Sequence, residues 1–265
     1  MIKNSANHLV LTTCIATAAA TTGAAATALA GDSLTIRNYG RQPRIVSAWQ
    51  TNQTAGFGQL AFPTGHDTTR GFRVGVPATA TDLILSIGSS IRVTPQEVVA
   101  ATIAATANAG DVEQLSFLTM YDEPHGQRLA TWDEIRQQTE KLTTVESSLA
   151  SVSSTYGPAG GELINADSDL LIANRDYAVL GATSRTRVHA IAFSGPDTGN
   201  EKIAVPGLLR FEVGSQFFRM LSIAHGLPLI PVINSGNKGS TNLYVATDEN
   251  AGTFVITLHL ALLSE

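Results

Sequence analysis

Two segments of this chain share one sequence pattern, and this repetition constrains the fold more than any other feature. ANAGDVEQLSFLTMYDE spans residues 107–123, and ENAGTFVITLHLALLSE spans residues 249–265. Each contains Asn-Ala-Gly, then a largely apolar run and a final Glu, and the Gly lies 13 positions before that Glu in both. A chain that repeats a segment over such a distance is expected to build one structural unit twice.

Three further pairs of segments match in the same order along the chain. They are SLTIRNY (33–39) with DLLIANRDY (169–177), QLAFPTGHDT (59–68) with AIAFSGPDTG (190–199), and FRVGVPA (72–78) with EKIAVPG (201–207). The offsets of all four pairs lie between 129 and 142 residues, which leaves room for a few insertions. The common order favours an internal repeat. Chance similarity is the alternative, because short strands share Val, Ala and Thr whatever their ancestry.

The second copy has the clearer strand pattern, with short apolar runs separated by Gly, Pro, Asn and Asp. The expected strands are 170–174, 177–183, 187–193, 202–205, 208–213, 229–233, 242–246 and 253–262. The last strand alternates, so one face carries Phe254, Ile256, Leu258, Leu260 and Leu262, and the other carries Thr257, His259 and Ala261. A short helix is expected over 214–225, where Phe217, Phe218, Leu221 and Ala224 recur at helical spacing.

Eight strands in about a hundred residues suit a β-sandwich of jelly-roll size. The fold class predicted is therefore all-β with a few short helices, arranged as two tandem jelly-roll sandwiches joined by a helical linker. The predicted divisions are an N-terminal arm (1–31), a first sandwich (32–123), the linker (124–160) and a second sandwich (161–265). The first copy is expected to contain a helical insertion from Thr94, where Pro95 and Glu97 complete a helix-start pattern.

The linker is predicted to be a helix that begins at Thr131. Thr131 and Glu134 form a capping-box pair. An apolar stripe follows at helical spacing and comprises Trp132, Ile135, Leu142, Val145, Leu149 and Val152. This helix is expected to lie on its own domains, and the alternative is a contact between subunits.

The first thirty residues allow two interpretations. Ala28-Leu29-Ala30 before Gly31 resembles the cleavage site of a secretory signal, but Thr and Gly interrupt the preceding apolar run. A retained arm is the favoured interpretation, and a cleaved signal is the alternative. No stretch reaches the roughly 20 strongly apolar residues of a membrane span.

Composition narrows the possible functions. The net charge is −5 and there is no run of Lys or Arg, which argues against sequence-specific or general nucleic-acid binding. Hydrophobic residues make up 43% and charged residues only 15%, so the chain can bury a large core and present a low-charge surface. The single cysteine, Cys14, cannot form a disulfide within the chain.

The search for catalytic, cofactor and metal sites yields no candidate residues. The six histidines (His8, His66, His125, His189, His225 and His259) lack metal-ligand spacing, and His189 and His259 fall in strand patterns. His66-Asp67 and Pro196-Asp197 read as turns. Ser235 and Lys238 have the spacing of a serine acyl-transfer motif but lie between strands, so a loop is expected. Asp167 and Asp169 resemble a solvated strand start more than a calcium site. The chain is therefore predicted not to be an enzyme and to need no cofactor.

The paired copies, their strand count and the segment between them resemble one known family. It is the double jelly-roll major capsid proteins of tailless, membrane-containing icosahedral viruses, the lineage of corticoviruses, tectiviruses and adenovirus hexons. IAFSGPDTGNEKIAVPG and LPLIPVINSGNKGS are similar to such structural proteins. The resemblance covers residues 32–265 and implies a homotrimer that tiles a shell with neighbouring capsomers and minor capsid proteins. It also implies that residues 1–30 face the interior, where they could contact a lipid membrane.

Two other functions remain open at this stage. A secreted two-domain binding protein, of a carbohydrate-binding type, would explain the signal-like start, although aromatic residues make up only 6%. The third hypothesis is a hydrolase whose catalytic residues are distant in the sequence and come together only in the folded structure.

Overall fold

The computed structural model of this chain consists mainly of antiparallel strands. It describes residues 7–17, 20–51, 56–62, 72–76, 85–105, 112–138, 141–151, 155–157, 171–207, 209–247 and 252–263. The all-β prediction is confirmed, and the helices are short. No helix among the described residues combines the length and apolar character needed to cross a bilayer.

Nine strands lie among the described residues of the first half of the chain. They are β1 (His8–Thr17), β2 (Ala20–Ala25), β3 (Thr27–Ala28), β4 (Arg44–Thr51), β5 (Gly56–Ala61), β6 (Phe72–Val76), β7 (Leu85–Arg92), β8 (Ala100–Ala105) and β9 (Val112–Tyr121). They build sheet 1, in the order β2-β8-β5-β6, and sheet 2, in the order β3-β1-β9-β4-β7. If the two-residue β3 is set aside, the remaining eight strands form two four-stranded sheets, and consecutive strands switch sheets except at the β5–β6 hairpin, as in a jelly roll.

The second half repeats this strand order. Its elements are β10 (Leu129–Ala130), α1 (Trp132–Arg136), β11 (Lys141–Ser151), β12 (Asp176–Ser184), β13 (Ala190–Ser194), β14 (Ile203–Pro206), α2 (Phe211–Gly214), α3 (Phe217–His225), β15 (Ile230–Asn234), a 3-10 helix (Ser235–Ser240), β16 (Asn242–Ala246) and β17 (Gly252–Leu262). Sheet 3 has the order β14-β13-β16, and sheet 4 has the order β10-β15-β12-β17-β11.

The correspondence between the halves can be stated strand by strand. In sheet 4, β11, β17, β12 and β15 take the places of β1, β9, β4 and β7 in sheet 2. In sheet 3, β16, β13 and β14 take the places of β8, β5 and β6 in sheet 1. Gly157 bridges Val245 of β16, the position at which β2 lies beside β8 in the first half.

The matched sequence segments fall on corresponding elements, but one match has the wrong register. QLAF lies at β5 and AIAF at β13, while FRVGV forms β6 and IAVP forms β14. The match that ends each half lies on β9 and β17. Letter-by-letter alignment would pair Phe117, which points into the first core, with His259, which is on the outer face of β17. Because side chains alternate along a strand, a one-residue shift exchanges the two faces.

The four sheets stack as layers in the order 1, 2, 3, 4. One core lies between sheets 1 and 2 and includes Leu60, Phe62, Leu115 and Phe117. The other face of sheet 2 joins a second, larger core, to which it contributes Leu9, Leu11, Val46, Trp49, Leu118 and Met120. Sheet 3 is buried on both faces, since every residue of β13 and of β14 is buried. We call the contact between sheets 2 and 3 the seam.

The expectation that residues 1–31 form an arm outside the sandwich is wrong for the residues described there. β1 is an inner strand of sheet 2. It pairs with β9 along its whole length on one side, and with β3 at Cys14 and Ile15 on the other. It places Leu9 and Leu11 in the seam and Val10 and Cys14 in the first core. The run LVLTTCIA, whose interrupted apolar character argued above against a secretory signal, is a strand with side chains buried on both faces.

The helix expected from Thr94 is a turn followed by β8. The Thr94 amide donates to the Glu97 carboxylate at 3.0 Å, as a capping box requires, while the Glu97 amide donates to the Thr94 backbone carbonyl at 3.2 Å. The chain then extends, and Val99, Ala101 and Ile103 are buried on one face of the strand. Pairing of β8 with β5 and β2 overrides the helical propensity of this alanine-rich segment.

The long linker helix is also wrong beyond its first turn. Thr131 and Glu134 form the predicted capping box, but α1 ends at Arg136 and β11 begins at Lys141. In β11, Val145, Ser147 and Leu149 are buried and Leu142 is exposed, a two-residue period that the helical stripe had concealed. Eleven residues of β11 pair with β17, so β11 forms the edge strand of sheet 4 and its backbone groups on the β17 side are hydrogen-bonded.

Most other predicted elements of the second half are confirmed. β12, β14, β15, β16, β17 and α3 lie where the pattern placed them, and the five alternating side chains of β17 point into the core. Two predicted strands are absent: residues 171–174 form a turn, and 211–214 form α2.

Candidate assembly surfaces and the seam between the sandwiches

A chain of buried polar groups crosses the seam. The Ser116 hydroxyl of β9 lies 2.7 Å from His189 Nε2, and the Thr13 hydroxyl of β1 lies 2.6 Å from Ser116 Oγ. Trp49 Nε1 donates to the His189 carbonyl at 3.1 Å. Burial, with Arg187 nearby, lowers the pKa of His189 to about 3, so the imidazole is neutral at neutral pH. These hydrogen-bonded polar groups therefore orient the two sandwiches relative to each other without burying a charge.

Side chains also bind backbone groups across the seam. The buried Gln127 amide accepts a hydrogen bond from the Leu9 amide at 2.7 Å and donates to the Leu9 carbonyl at 2.5 Å. Gln114 Nε2 donates to the carbonyl of Thr247 at 2.8 Å. These bonds fix the position of sheet 2 relative to the second sandwich, because each depends on one relative placement of two backbones.

An ion pair lies at the rim of the seam, beside an open cleft of about 380 Å³. The Asp32 carboxylate, 2% exposed, receives hydrogen bonds from Lys202 Nζ, the Tyr156 hydroxyl and the Thr13 amide, each at 2.7 Å. Burial, together with the nearby Asp32 charge, raises the pKa of Tyr156 well above its ordinary value. With three donors, the buried carboxylate is fully satisfied and joins β1 to the start of β14.

A second ion pair lies along the same rim. Arg37 Nη2 contacts the Glu201 carboxylate at 3.1 Å, and the Tyr39 hydroxyl donates to Glu201 at 3.4 Å. The Arg37 amide donates to the Tyr121 hydroxyl at 3.0 Å. Burial raises the pKa of Tyr121 to about 12. Both ion pairs thus link residues 32–37 of the first half to residues 201–202 of the second.

Four rings cluster at the end of β1. His8 lies 4.9 Å from Tyr39, 5.2 Å from Tyr121 and 5.2 Å from His125, measured between ring centroids. Tyr39 and His125 are stacked at 4.2 Å. Burial, and then the neighbouring His125, lower the pKa of His8 to about 4. The His8 imidazole is therefore neutral at neutral pH, and it stacks on Tyr121 and His125.

The residues considered for chemistry are placed apart. His66, Asp67, Asp167 and Asp169 lie outside the described residues. Ser235 and Lys238 lie in the 3-10 helix between β15 and β16, where the Ser235 hydroxyl donates to the Ile172 carbonyl at 2.6 Å. Among the described residues, no group of three or more His, Cys, Asp or Glu side chains could hold a metal ion.

Asp197 and Asp176 organise the neighbouring turns. Asp197 accepts from the Asn234 amide at 2.9 Å and from Asn237 Nδ2 at 3.0 Å, in agreement with the turn-forming role expected for it. Asp176 makes a paired contact with Arg128, whose hydrogen bonds hold the pKa of that carboxyl below its usual range. These contacts bind β10, β12 and the 3-10 helix together.

The two outermost sheet faces are open. On sheet 4, Leu142, Thr144, Ser148 and Ala150 of β11 are exposed, next to half-buried Val255, Thr257 and His259 of β17, and we call this surface the β11 face. Phe211 of α2 lies over His259 with ring centroids 5.3 Å apart. On sheet 1, the outward side chains are Ala25, Phe57, Gln59, Arg73, Ala100 and Thr102, and we call this surface the β8 face.

Sequence reasoning had singled out none of the seam residues. Asp32, Tyr156, Ser116 and His189 come from distant segments with no shared motif. For Lys202 alone the sequence contains an indication, because the matched segments FRVGVPA and EKIAVPG align this lysine with a second cation, Arg73. Arg73 lies in β6 on the β8 face, and Lys202 lies at the seam immediately before β14, the strand that corresponds to β6.

No family model and no curated protein matches this chain. Among solved structures, the PBSX exported protein XepA is similar at 9% identity and a TM-score of 0.28, with 98% of this chain and 88% of that one covered. A T=1 nodavirus of Penaeus vannamei is similar at 8% identity and a TM-score of 0.21, over 99% of both chains. These likenesses to a phage exported protein and a viral capsid are weak, and neither carries an argument here.

Proposed function

We propose that this chain is a viral major capsid protein of the double jelly-roll type, a structural protein rather than an enzyme. Three chains would form a pseudo-hexagonal capsomer, and capsomers would tile an icosahedral shell, so the protein would reside in the virion. The observation that carries the proposal is the pair of sandwiches with one strand order, stacked in the same direction across a buried seam. Two such units per chain are what a near-sixfold block of three chains needs.

The physical character of the seam supports this role. A shell subunit must keep its two sandwiches in one relative orientation while its outer surfaces contact neighbouring subunits. Here, hydrogen bonds between Ser116 and His189, and between Gln127 and Leu9, fix that orientation beneath the surface. Such a rigid unit can present the same pair of surfaces at each position of a closed assembly.

The proposal of no catalysis rests on accessibility. The one Ser–His contact recorded in the described part of the chain, Ser116 with His189, resembles a nucleophile and base in distance only. Both side chains have 0% exposure, so no substrate can reach the hydroxyl. We infer that this buried pair holds the two sandwiches together. The hypothesis of a hydrolase with a spatially assembled site then has no candidate Ser–His pair among the described residues.

The experiment that tests the proposal is the native mass of the purified full-length chain. Light scattering is expected to give three 27.8-kDa chains or closed particles, and negative-stain images are expected to show hexagonal outlines. A species that stays monomeric at high concentration would contradict the capsid proposal. Glycan-binding assays would then test the secreted binding protein instead. Liposome flotation and pull-downs with minor capsid proteins would test the remaining partners.

A further inference from the structure

We propose that neighbouring chains associate head to tail, with the β11 face of one copy seated on the β8 face of the next. This inference deepens the proposed function, on which it rests, by naming the two surfaces that meet between chains. Its occupant is a second copy of this chain. The argument comes from the seam, which already shows how the corresponding surfaces fit within one chain.

The seam joins two different kinds of surface. One side is the outer face of sheet 2, built from β1, β9 and β4. The other side is the outer face of sheet 3, where Ser194 and Tyr244 line the rim cleft with residues of β1. The same alternation places four small side chains on this face, and they are Ala190, Ala192, Ala204 and Ala246. A face of small residues lets the opposing sheet approach closely.

The same two kinds of surface remain open at the ends of the stack. The β11 face belongs to β11 and β17, the counterparts of β1 and β9. The β8 face belongs to β8, β5 and β6, the counterparts of β16, β13 and β14, and it too is rich in small residues such as Ala25, Ala100 and Thr102. Each chain therefore exposes two surfaces, the β11 face and the β8 face, whose counterparts meet in the seam within the same chain.

The chemistry of the open faces fits a contact between separate chains. The β11 face carries Thr144, Ser148 and Thr257, whereas the seam face of β1 and β9 carries Leu9, Leu11, Leu118 and Met120 beside Thr13 and Ser116, so the more polar β11 face can face water before assembly. It also carries two of the most exposed large apolar side chains described, Leu142 at 70% and Phe211 at 63% exposure. Both apolar side chains lie toward one end of the face, beside Thr144 and His259, and interfaces between independently folded partners likewise combine apolar and polar groups.

Charge on the two faces is also complementary. Arg73 projects from the β8 face, where its guanidinium stacks on Phe57 at 4.5 Å and donates to Gln59 at 2.8 Å. Glu146 lies on the β11 face, where its 34% exposed side chain forms an ion pair with Arg185 of the same chain. In the seam, Lys202, the counterpart of Arg73 in the matched segments, meets the carboxylate of Asp32. A cation on one face and an anion on the other would favour correct docking of two copies.

Head-to-tail contacts have a distinctive consequence. Because the two faces differ, each copy keeps one free face after binding, and association continues until a ring closes or a filament grows. A contact between two identical faces would instead stop at a dimer. The two possibilities can be separated by blocking one face at a time.

Three full-length variants make the test, each adding one positive charge at an exposed position. Thr144→Arg blocks the β11 face and Ala100→Arg blocks the β8 face, while Gln137→Arg on the turn after α1 is the control. An uncompensated charge buried in an interface is expected to raise the dissociation constant on the order of 100-fold. Circular dichroism melts verify that each variant is folded, and sedimentation velocity measures its assembly state.

We expect Thr144→Arg and Ala100→Arg to be monomers separately, and a one-to-one mixture to form dimers that grow no further. Gln137→Arg should assemble as the wild type does. Dimers of either blocked variant alone would show contacts between identical faces and overturn the inference. Wild-type assembly that neither substitution weakens would overturn the inference while the capsid proposal stands. A wild-type chain that never associates would overturn both.

Discussion

Ser116 of β9 and His189, which immediately precedes β13, lie 2.7 Å apart with no solvent exposure, although 73 residues separate them in the chain. Their contact joins the two jelly rolls at the middle of the seam. Because the imidazole is neutral and the hydroxyl also contacts Thr13, the pair supplies direction without the cost of a buried charge. This relationship makes the protein's stability sensitive to pH.

Stability is expected to fall as the pH drops from 6.5 toward 3. The pKa of His189 is about 3 in the folded chain against an ordinary 6.5, so in this range the unfolded chain binds a proton that the folded chain excludes. The loss from this residue approaches about 1.4 kcal/mol per pH unit. Urea denaturation of wild type and His189→Gln between pH 7.5 and 4.5 measures it, and the variant should show the shallower slope.

Ser116→Ala is the matched control for that slope. It removes one hydrogen bond of His189 but retains the titrating imidazole, so overall stability should fall by about 1–2 kcal/mol while the pH dependence remains. If His189→Gln and wild type lose stability equally on acidification, His189 is not the group responsible.

Replacing Lys202 by Met should destabilise the protein by about 1–3 kcal/mol, because it leaves the buried Asp32 carboxylate with two donors instead of three. Arg136→Met is the comparison. Arg136 pairs with Asp133 at the surface, where both side chains are at least 66% exposed, and its loss should cost about 0.5 kcal/mol or less. Equal losses in chemical denaturation would argue against a special role for the Asp32 site.

Deletion of residues 2–30 should prevent folding, because it removes β1 from the interior of sheet 2 together with β2 and β3. Deletion of residues 2–6 retains every described strand and should leave the circular dichroism spectrum and melting temperature close to those of wild type. A soluble, cooperatively melting product from the longer deletion would show that the strand pairing of β1 is dispensable.

Gly181→Ala should destabilise the chain by about 1–3 kcal/mol. An added methyl group at Gly181 would overlap the backbone carbonyl of Gly214, where α2 crosses β12, and backbone cannot move aside as a side chain can. Gly226→Asn tests the alternative that any glycine replacement is harmful. Gly226 has a left-handed φ of 62° and open space around it, so Asn should be tolerated there. Thermal melts of both variants give the comparison.

The sequence alone determined the fold class and the repetition of a sandwich. Period-two alternation and turn residues placed β12, β16 and β17, because a strand with one buried face states its conformation locally. The capping box at Thr131 and the helix at Phe217–His225 were equally local. Collinear matches were enough to expect two similar halves, although letters alone could not choose the register of β9 against β17.

Only the tertiary structure decided how the halves meet and where three ambiguous segments belong. VVAATIAA and LTTVESSLAS are compatible with a helix or a strand, and pairing with β5 or β17 selected the strand. The segment of β1 resembled a leader in the sequence, but pairing with β9 places it inside sheet 2, with the first core on one face and the seam on the other. The partners of Asp32, Ser116 and Gln127 across the seam lie 73 to 170 residues away, so no local pattern could indicate them. Such contacts arise from how complete sheets stack, a property that no single segment encodes.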